Sequence, residues 1–287
     1  MRSTGSAYDA AAVWDIATPS RPLRLPGISM AGFRARGTEP VDLNAVPYPA
    51  ITVAVVFGGG LLASDERRGQ QHSGSFAAGL APGSVRARGR GIECMQIRLS
   101  PVVAHAMLGP ASELTGTLVS LDDLWGRDAA RIGERLRAAR SWDDRFAIAE
   151  AALARRRETG RTVDPEIAFA WHQTVRNQGR IRVEQLAAET GWSRQRLWSR
   201  FRSQIGLTPK RAAQLVRFDH AAHRLAAGHS AVTVAADSGY ADQSHLHRDV
   251  QSFAGVTPAA LASAPWLAVD PVAWAAPGYL SAEHARA

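Results

Sequence analysis

Between residues 25 and 99, apolar residues come in short runs or alternate with polar ones, the period-two signature of strands. Ile28 to Arg36, Ile51 to Phe57, Ser75 to Leu80 and Ile92 to Leu99 are such runs. Gly58-Gly59-Gly60, Ala81-Pro82-Gly83 and Gly89-Arg90-Gly91 separate them and read as turns. Short strands at this spacing predict a small barrel or sandwich. From Ser100 the period lengthens. Ser100-Pro101 opens a helix that Gly109-Pro110 stops, serine suiting the cap and proline the first turn. Leu118, Leu121, Leu124 and Trp125 keep helical spacing, and Ala129 to Arg140 and Trp142 to Arg157 read as amphipathic helices. The polar run Arg155 to Arg161 marks a domain boundary. Asp164-Pro165 then starts a helix that buries Ile167, Ala168, Trp171 and Val175.

Beyond Arg182 one pattern is written twice. Leu186-Ala187, Gly191-Trp192, Leu197, Phe201 and Gly206-Leu207-Thr208-Pro209 return as Val234-Ala235, Gly239-Tyr240, Leu246, Val250 and Gly255-Val256-Thr257-Pro258. The offset is 48 residues up to the glycine-aromatic pair and 49 after it, so one extra residue sits in the second turn, near Asp242. A repeat names the structural unit: short helix, glycine turn, second helix, Gly-x-Thr-Pro. A long helix from about Pro209 to Ala227 joins the copies. The expected fold is therefore α+β, with disordered residues 1–24, a β-rich domain with following helices over 25–158, an all-α domain over 164–265, and a loose tail over 266–287 in which Trp266 and Trp274 are candidates to dock on a neighbour.

In each unit the second helix begins at a capping residue, Ser193 or Asp242, and turns Leu197, Phe201 and Ile205, or Leu246 and Val250, inward. Residues two before and two after the anchoring leucine lie opposite the core. These are Gln195 and Ser199, flanked by Arg196 and Arg202, and Ser244 and Arg248, flanked by Gln243, His245 and Gln251. Arginine can pair with both acceptors of guanine and glutamine can read adenine. Arg194, Lys210, Arg211 and Arg217 are the candidates for phosphate contacts that set the register. Two such units on one chain suit successive major grooves about 34 Å apart.

Residues 165–262, about a third of the chain, resemble the paired helix-turn-helix domain of the AraC/XylS transcription regulators. The resemblance rests on Asp237-Ser238-Gly239-Tyr240-Ala241-Asp242-Gln243-Ser244-His245-Leu246-His247-Arg248 and the following Gly255-Val256-Thr257-Pro258. It implies a promoter-binding regulator whose separate N-terminal domain, often a cupin-like barrel, senses an effector or dimerises. Candidate partners are thus double-stranded promoter or operator DNA, RNA polymerase, a small-molecule effector and a second copy of the chain. The family usually has arginine two residues after the first anchoring leucine; here Ser199 stands there and arginine follows at Arg200. The usual phenylalanines are Leu246 and Val250.

Composition changes this picture little. The chain of 287 residues is 46% hydrophobic with a net charge of +8 and an isoelectric point of 10.8, nearly all of the positive charge being arginine. A basic balance speaks of partners such as nucleic acid, not of fold. No apolar run is long enough to span a membrane, and Met1 to Ala12 lacks a signal-peptide core, so a cytoplasmic location is expected. Cys94, the only cysteine, reads as a buried thiol in a strand. His72 and His105 are far apart, and His245 and His247 diverge on a helix, so neither a metal nor another cofactor is expected. Gly58-Gly59-Gly60 lacks the Lys-Ser/Thr of a phosphate loop. Arg86-Ala87-Arg88-Gly89-Arg90-Gly91 reads as a solvated basic loop rather than an RNA-binding tract. Asp122-Asp123 and Asp143-Asp144 are helix-start carboxylates rather than catalytic ones. A non-enzymatic regulator is the expectation. Two alternatives stay open: a small-molecule-binding barrel protein or enzyme with a helical assembly domain, and a non-specific chromatin-type binder.

Overall fold

The computed structural model describes residues 13–65, 68–80 and 85–274. The chain is α+β, an antiparallel sheet followed by a helical domain. The described strands are β1 (Trp14–Ala17), β2 (Ile28–Ala35), β3 (Val41–Ala45), β4 (Ile51–Asp65), β5 (Gln70–Ser73), β6 (Phe76–Ala78), β7 (Val85–Leu99) and β8 (Leu118–Ser120). Their order is β1-β2-β7-β4-β6-β8, with β3 also on β7 and β5 also on β4.

Several expectations change here. Strand β1 lies within the segment expected to be disordered, because Trp14 is buried edge-on against Phe33, 5.7 Å between ring centres. Strands β4 and β7 each run for 15 residues straight through the glycines read as turns. Their register shifts between Val56 and Gly58 and again between Gly58 and Gly60. At Gly59, φ is +64° and any side chain would strike the carbonyls of Arg90 and Gly91. The glycines thus bend two paired strands past each other instead of ending them. The basic tract Arg86 to Gly91 is accordingly strand, with Arg86 bonded to Asp42 on β3 at 2.7 Å. Leu118, assigned to a helix by spacing, begins β8 and pairs with Ala78; the helix starts at Leu121.

Pairing register sorts the sheet into two faces. Trp14, Phe33, Thr52, Ala54, Cys94, Gln96 and Arg98 share one; Met30, Val53, Val55, Met95 and Ile97 share the other. The first face borders a cavity of about 110 Å³, which Trp14, Thr52, Ala54, Cys94 and Gln96 help to line. Burial there pushes the Cys94 thiol up to about 12. Helices cover the second face: α1 (Pro101–Leu108), α2 (Ala111–Leu114), α3 (Leu121–Trp125), α4 (Arg127–Ala138) and α5 (Trp142–Thr159). Trp142 meets Phe57 and Phe146 at 5.9 and 6.0 Å. Arg145, buried beside them, donates to the Leu136 carbonyl at 3.0 Å and to Glu93 at 2.8 Å, so its charge is matched.

The helical domain comprises α6 (Pro165–Arg176), α7 (Val183–Thr190), α8 (Arg194–Ile205), α9 (Pro209–Ala226), α10 (Ala231–Asp237), α11 (Gln243–Ala254), α12 (Pro258–Ala262) and α13 (Pro265–Ala273). It joins the sheet domain at two places. Helices α1 and α2 pack on α8, where the buried Gln204 side chain accepts from the Asp164 backbone at 2.7 Å. Helix α13, in the segment expected to be loose, packs on β1, β3 and α9 with Leu267, Val269 and Trp274 buried. Residues 275–287 of that expected tail lie outside the described residues.

Charge explains the docking of α13. Asp270, buried, accepts from Arg98 of β7 at 2.7 Å and meets His223 of α9 at 3.0 Å. Burial works against the carboxylate, yet Arg98 and His223 hold its pKa below the usual range. Burial likewise works against a charged His223, but its bond to Asp270 and the nearby Asp219 raise it from 6.5 to about 9. A histidine raised on folding adds stability that is complete below its unfolded value of 6.5 and vanishes as pH climbs through about 9. Between roughly pH 7 and pH 10, thermal melts of the wild type should therefore fall more steeply than those of His223→Gln. Equal slopes would show that the imidazolium contributes nothing.

Candidate nucleic-acid interface

The first unit is α7, a turn and α8. Helix α7 ends at Gly191, whose φ of 68° and ψ of 17° are left-handed, a conformation only glycine adopts without cost. After a single intervening residue, Trp192, Ser193 caps α8, its hydroxyl accepting from the Arg196 backbone at 3.2 Å. Leu197, Phe201 and Ile205 are wholly buried. Gln195, Arg196, Ser199 and Arg202 all face solvent, as do Arg194 and Arg200.

The second unit repeats this with α10 and α11. The turn at Gly239 holds two residues, Tyr240 and Ala241, before the cap Asp242, which is the extra residue in the repeat. Asp242 accepts from the His245 backbone at 2.7 Å. Leu246 and Val250 are wholly buried and Phe253 stacks on Phe218 of α9 at 5.0 Å. Gln243, Ser244 and Arg248 face solvent. His245 is half-buried, edge-on to Tyr240 at 5.1 Å. The Gly-x-Thr-Pro closures have a common physical role: Gly206 and Gly255 end one helix left-handed, and Thr208 and Thr257 cap the next.

Not every basic residue singled out from the sequence reaches the surface freely. Arg217 bonds Asp249 of α11 at 3.0 Å and lies over the Tyr240 ring. Arg211 lies 3.9 Å from the Phe253 ring centre, donates to Ser252, and has its pKa lowered by burial. Both fasten α9 to α11, so the phosphate role expected for them meets side chains already engaged inside the domain. Lys210 is exposed. Arg194 is exposed and 3.4 Å from Glu184, a solvent-screened pair worth little. Arg200, the arginine displaced by one position, is held by Asp164 through two bonds of 2.8 Å.

Sequence reasoning missed three features. Trp198 is 45% exposed on α8, with Arg202 over its ring at 5.3 Å; its place directly after the anchoring leucine is the signal, since that phase points outward. Arg196 stacks on Trp192 at 4.2 Å. Asp249, one residue before Val250, is a buried acid that holds Arg217. No group of three histidine, cysteine or carboxylate side chains suited to a metal occurs among the described residues.

Residues 186–264 match the model of a helix-turn-helix domain family. The C-terminal region of the chain thus carries a helix-turn-helix domain. No curated protein sequence matches the chain. Solved structures resemble it more remotely. ToxT of Vibrio cholerae is 12% identical, with a TM-score of 0.45 over 83% of this chain and 98% of that one. An unsaturated-fatty-acid-bound ToxT of the same species is 11% identical, with a TM-score of 0.47 over 85% and 97%. The AraC-like transcriptional activator CuxR is 13% identical, with a TM-score of 0.29 over 67% and 81%. No helix among the described residues is long and apolar enough to cross a membrane.

The cap at Asp242 gives a direct check of how α11 is built. Asp242→Ala should cost about 1 kcal/mol in chemical denaturation, while Asp242→Ser, which keeps an acceptor, should cost only a few tenths. Equal losses would assign the effect to something other than capping.

Proposed function

We propose that the protein is a sequence-specific regulator that places α8 and α11 in successive major grooves of promoter DNA under the control of a ligand in the sheet domain. The observation that carries the DNA reading is the matched phase of the two second helices. Each is capped at its N-terminus, anchored by a buried leucine, and presents polar side chains on the opposite face. The N-terminal half of such a helix is the part that reads base edges.

Base reading then falls to Gln195, Arg196, Ser199 and Arg202 in the first unit and to Gln243, Ser244, His245 and Arg248 in the second. Arg194 and Lys210 serve phosphates. The units are unequal. Among the described residues the Arg248 side chain meets the Ser244 carbonyl of its own helix, at 3.4 Å, and its exposed guanidinium can pair with guanine. Arg196 and Arg202 lie over tryptophan rings and Arg200 is tied to Asp164. The first unit therefore grips more and reads less.

The cavity supports ligand control. Its lining is mostly apolar, including Leu43, Phe76 and Ile92. Asp65, paired with Arg68, is the one charged residue among the described lining. Trp14 Nε1 and Gln96 Oε1 are buried there without a hydrogen-bond partner among the described residues. Buried donors and acceptors without partners are costly. An uncharged, largely apolar molecule that offers an acceptor to Trp14 and a donor to Gln96 fits this chemistry; an ionised carboxylate, which has no donor for Gln96, fits it less well.

Sequencing the DNA fragments retained by the purified protein is the deciding experiment. A shared two-element motif is the expected result; fragments without any preferred sequence would leave a non-specific binder instead. On that motif Arg248→Ala should cost about 1–3 kcal/mol and relax preference at one base pair, whereas Lys210→Ala should weaken all sequences alike. Gln195→Ala should relax specificity less than Arg248→Ala, and an equal loss would contradict the inequality of the units.

A further inference from the structure

We propose that α13 is a relay that reports the occupancy of the cavity to the DNA-binding units, a regulation that rests on the ligand-control reading above. One helix touches both ends of the path, since α13 packs on β1 and β3, which wall the cavity, and on α9, which joins the two units. The Arg98 guanidinium is clasped between two rings, 3.9 Å from the centre of Tyr48 and 4.1 Å from that of Trp274. Tyr48 lines the cavity. Trp274 also rests 6.4 Å from Phe33, which meets the cavity residue Trp14. From Arg98 the contact continues to Asp270 at 2.7 Å and from Asp270 to His223 at 3.0 Å.

Position and charge make this path sensitive. Arg98 and Asp270 are 3% and 4% exposed, so neither charge can turn to water if the other moves. A ligand that shifts Tyr48 or Trp14 changes one side of the clasp. The pair then re-forms only if α13 moves with it, and His223 carries that movement into α9. The rest of the domain is arranged to feel it. The first unit is fixed to the sheet domain through α1 and α2, while α9 and α11 are bound to each other by Arg217, Asp249, Arg211 and Ser252. Movement of α9 thus repositions the second unit relative to the first, and a site of two fixed half-elements reads that spacing.

Cavity filling replaces the unknown ligand in the test. Ala54 lies on the cavity face opposite Gln96 and is 2% exposed. Ala54→Leu mimics occupancy, with the smaller Ala54→Val as the second variant if leucine prevents folding. In the parent, a filled cavity should change affinity for the selected two-element DNA by about fivefold or more, the lower bound of ordinary allosteric coupling. In His223→Ala, which keeps the Arg98–Asp270 pair but removes the side chain through which α9 holds Asp270, the same filling should change it by less than about twofold. A change that persists at full size in His223→Ala overturns the relay and leaves ligand control standing. No change from either filling in the parent overturns both.

Discussion

Asp270 is a carboxylate out of reach of water, and its burial is the constraint on which the assembly of this chain depends. A buried charge is tolerated only when it is paired and hydrogen-bonded. Here the partners come from β7 and from α9. The requirement to satisfy one side chain therefore draws three distant parts of the sequence together. Arg98 is subject to the same demand and answers it with two aromatic rings besides the carboxylate. Without that exchange, α13 would have only its few apolar residues to hold it against the strands.

A similar economy governs the arginines of the helical domain. The net charge of +8 suggests a generous basic surface. The structure divides it. Arg211 and Arg217 hold α9 to α11, Arg224 is 2.7 Å from Asp237, and Arg200 is 2.7 Å from Asp164. Those that remain in solvent on the outward faces are the ones whose chemistry is available to a second molecule. Charge summed over a sequence counts both kinds alike, and only contact separates them.

The helical domain was legible because its signals are local. A serine, a glycine and a threonine act on the residues next to them, and Leu197 or Leu246 needs only a 3.6 period to declare its face. The repeat then confirmed each inference with a second copy. The sheet domain was less so. Glycines at 58 to 60 and 89 to 91 look like turns in isolation, and they become bends only because two long strands run beside each other. Nothing near Trp14 announces that Phe33 will cover it. The α13 helix, with Pro265 and Pro271, reads as loose, and what orders it is an arginine 172 residues away. On the outward faces, residue types were legible but engagement was not, because Asp249 and Asp164 approach Arg217 and Arg200 from other helices.

Cys94 offers a practical consequence. It is the only thiol of the chain, and its place inside the cavity keeps it protonated far above neutral pH. Alkylating reagents attack the thiolate, so the native protein is nearly silent towards them. The molecule is already a blank background for site-directed labelling. One cysteine introduced on the outward face of α8 and another on α11 would be the reactive pair, and a spectroscopic ruler between them would measure the spacing of the two helices in solution without any native residue being removed.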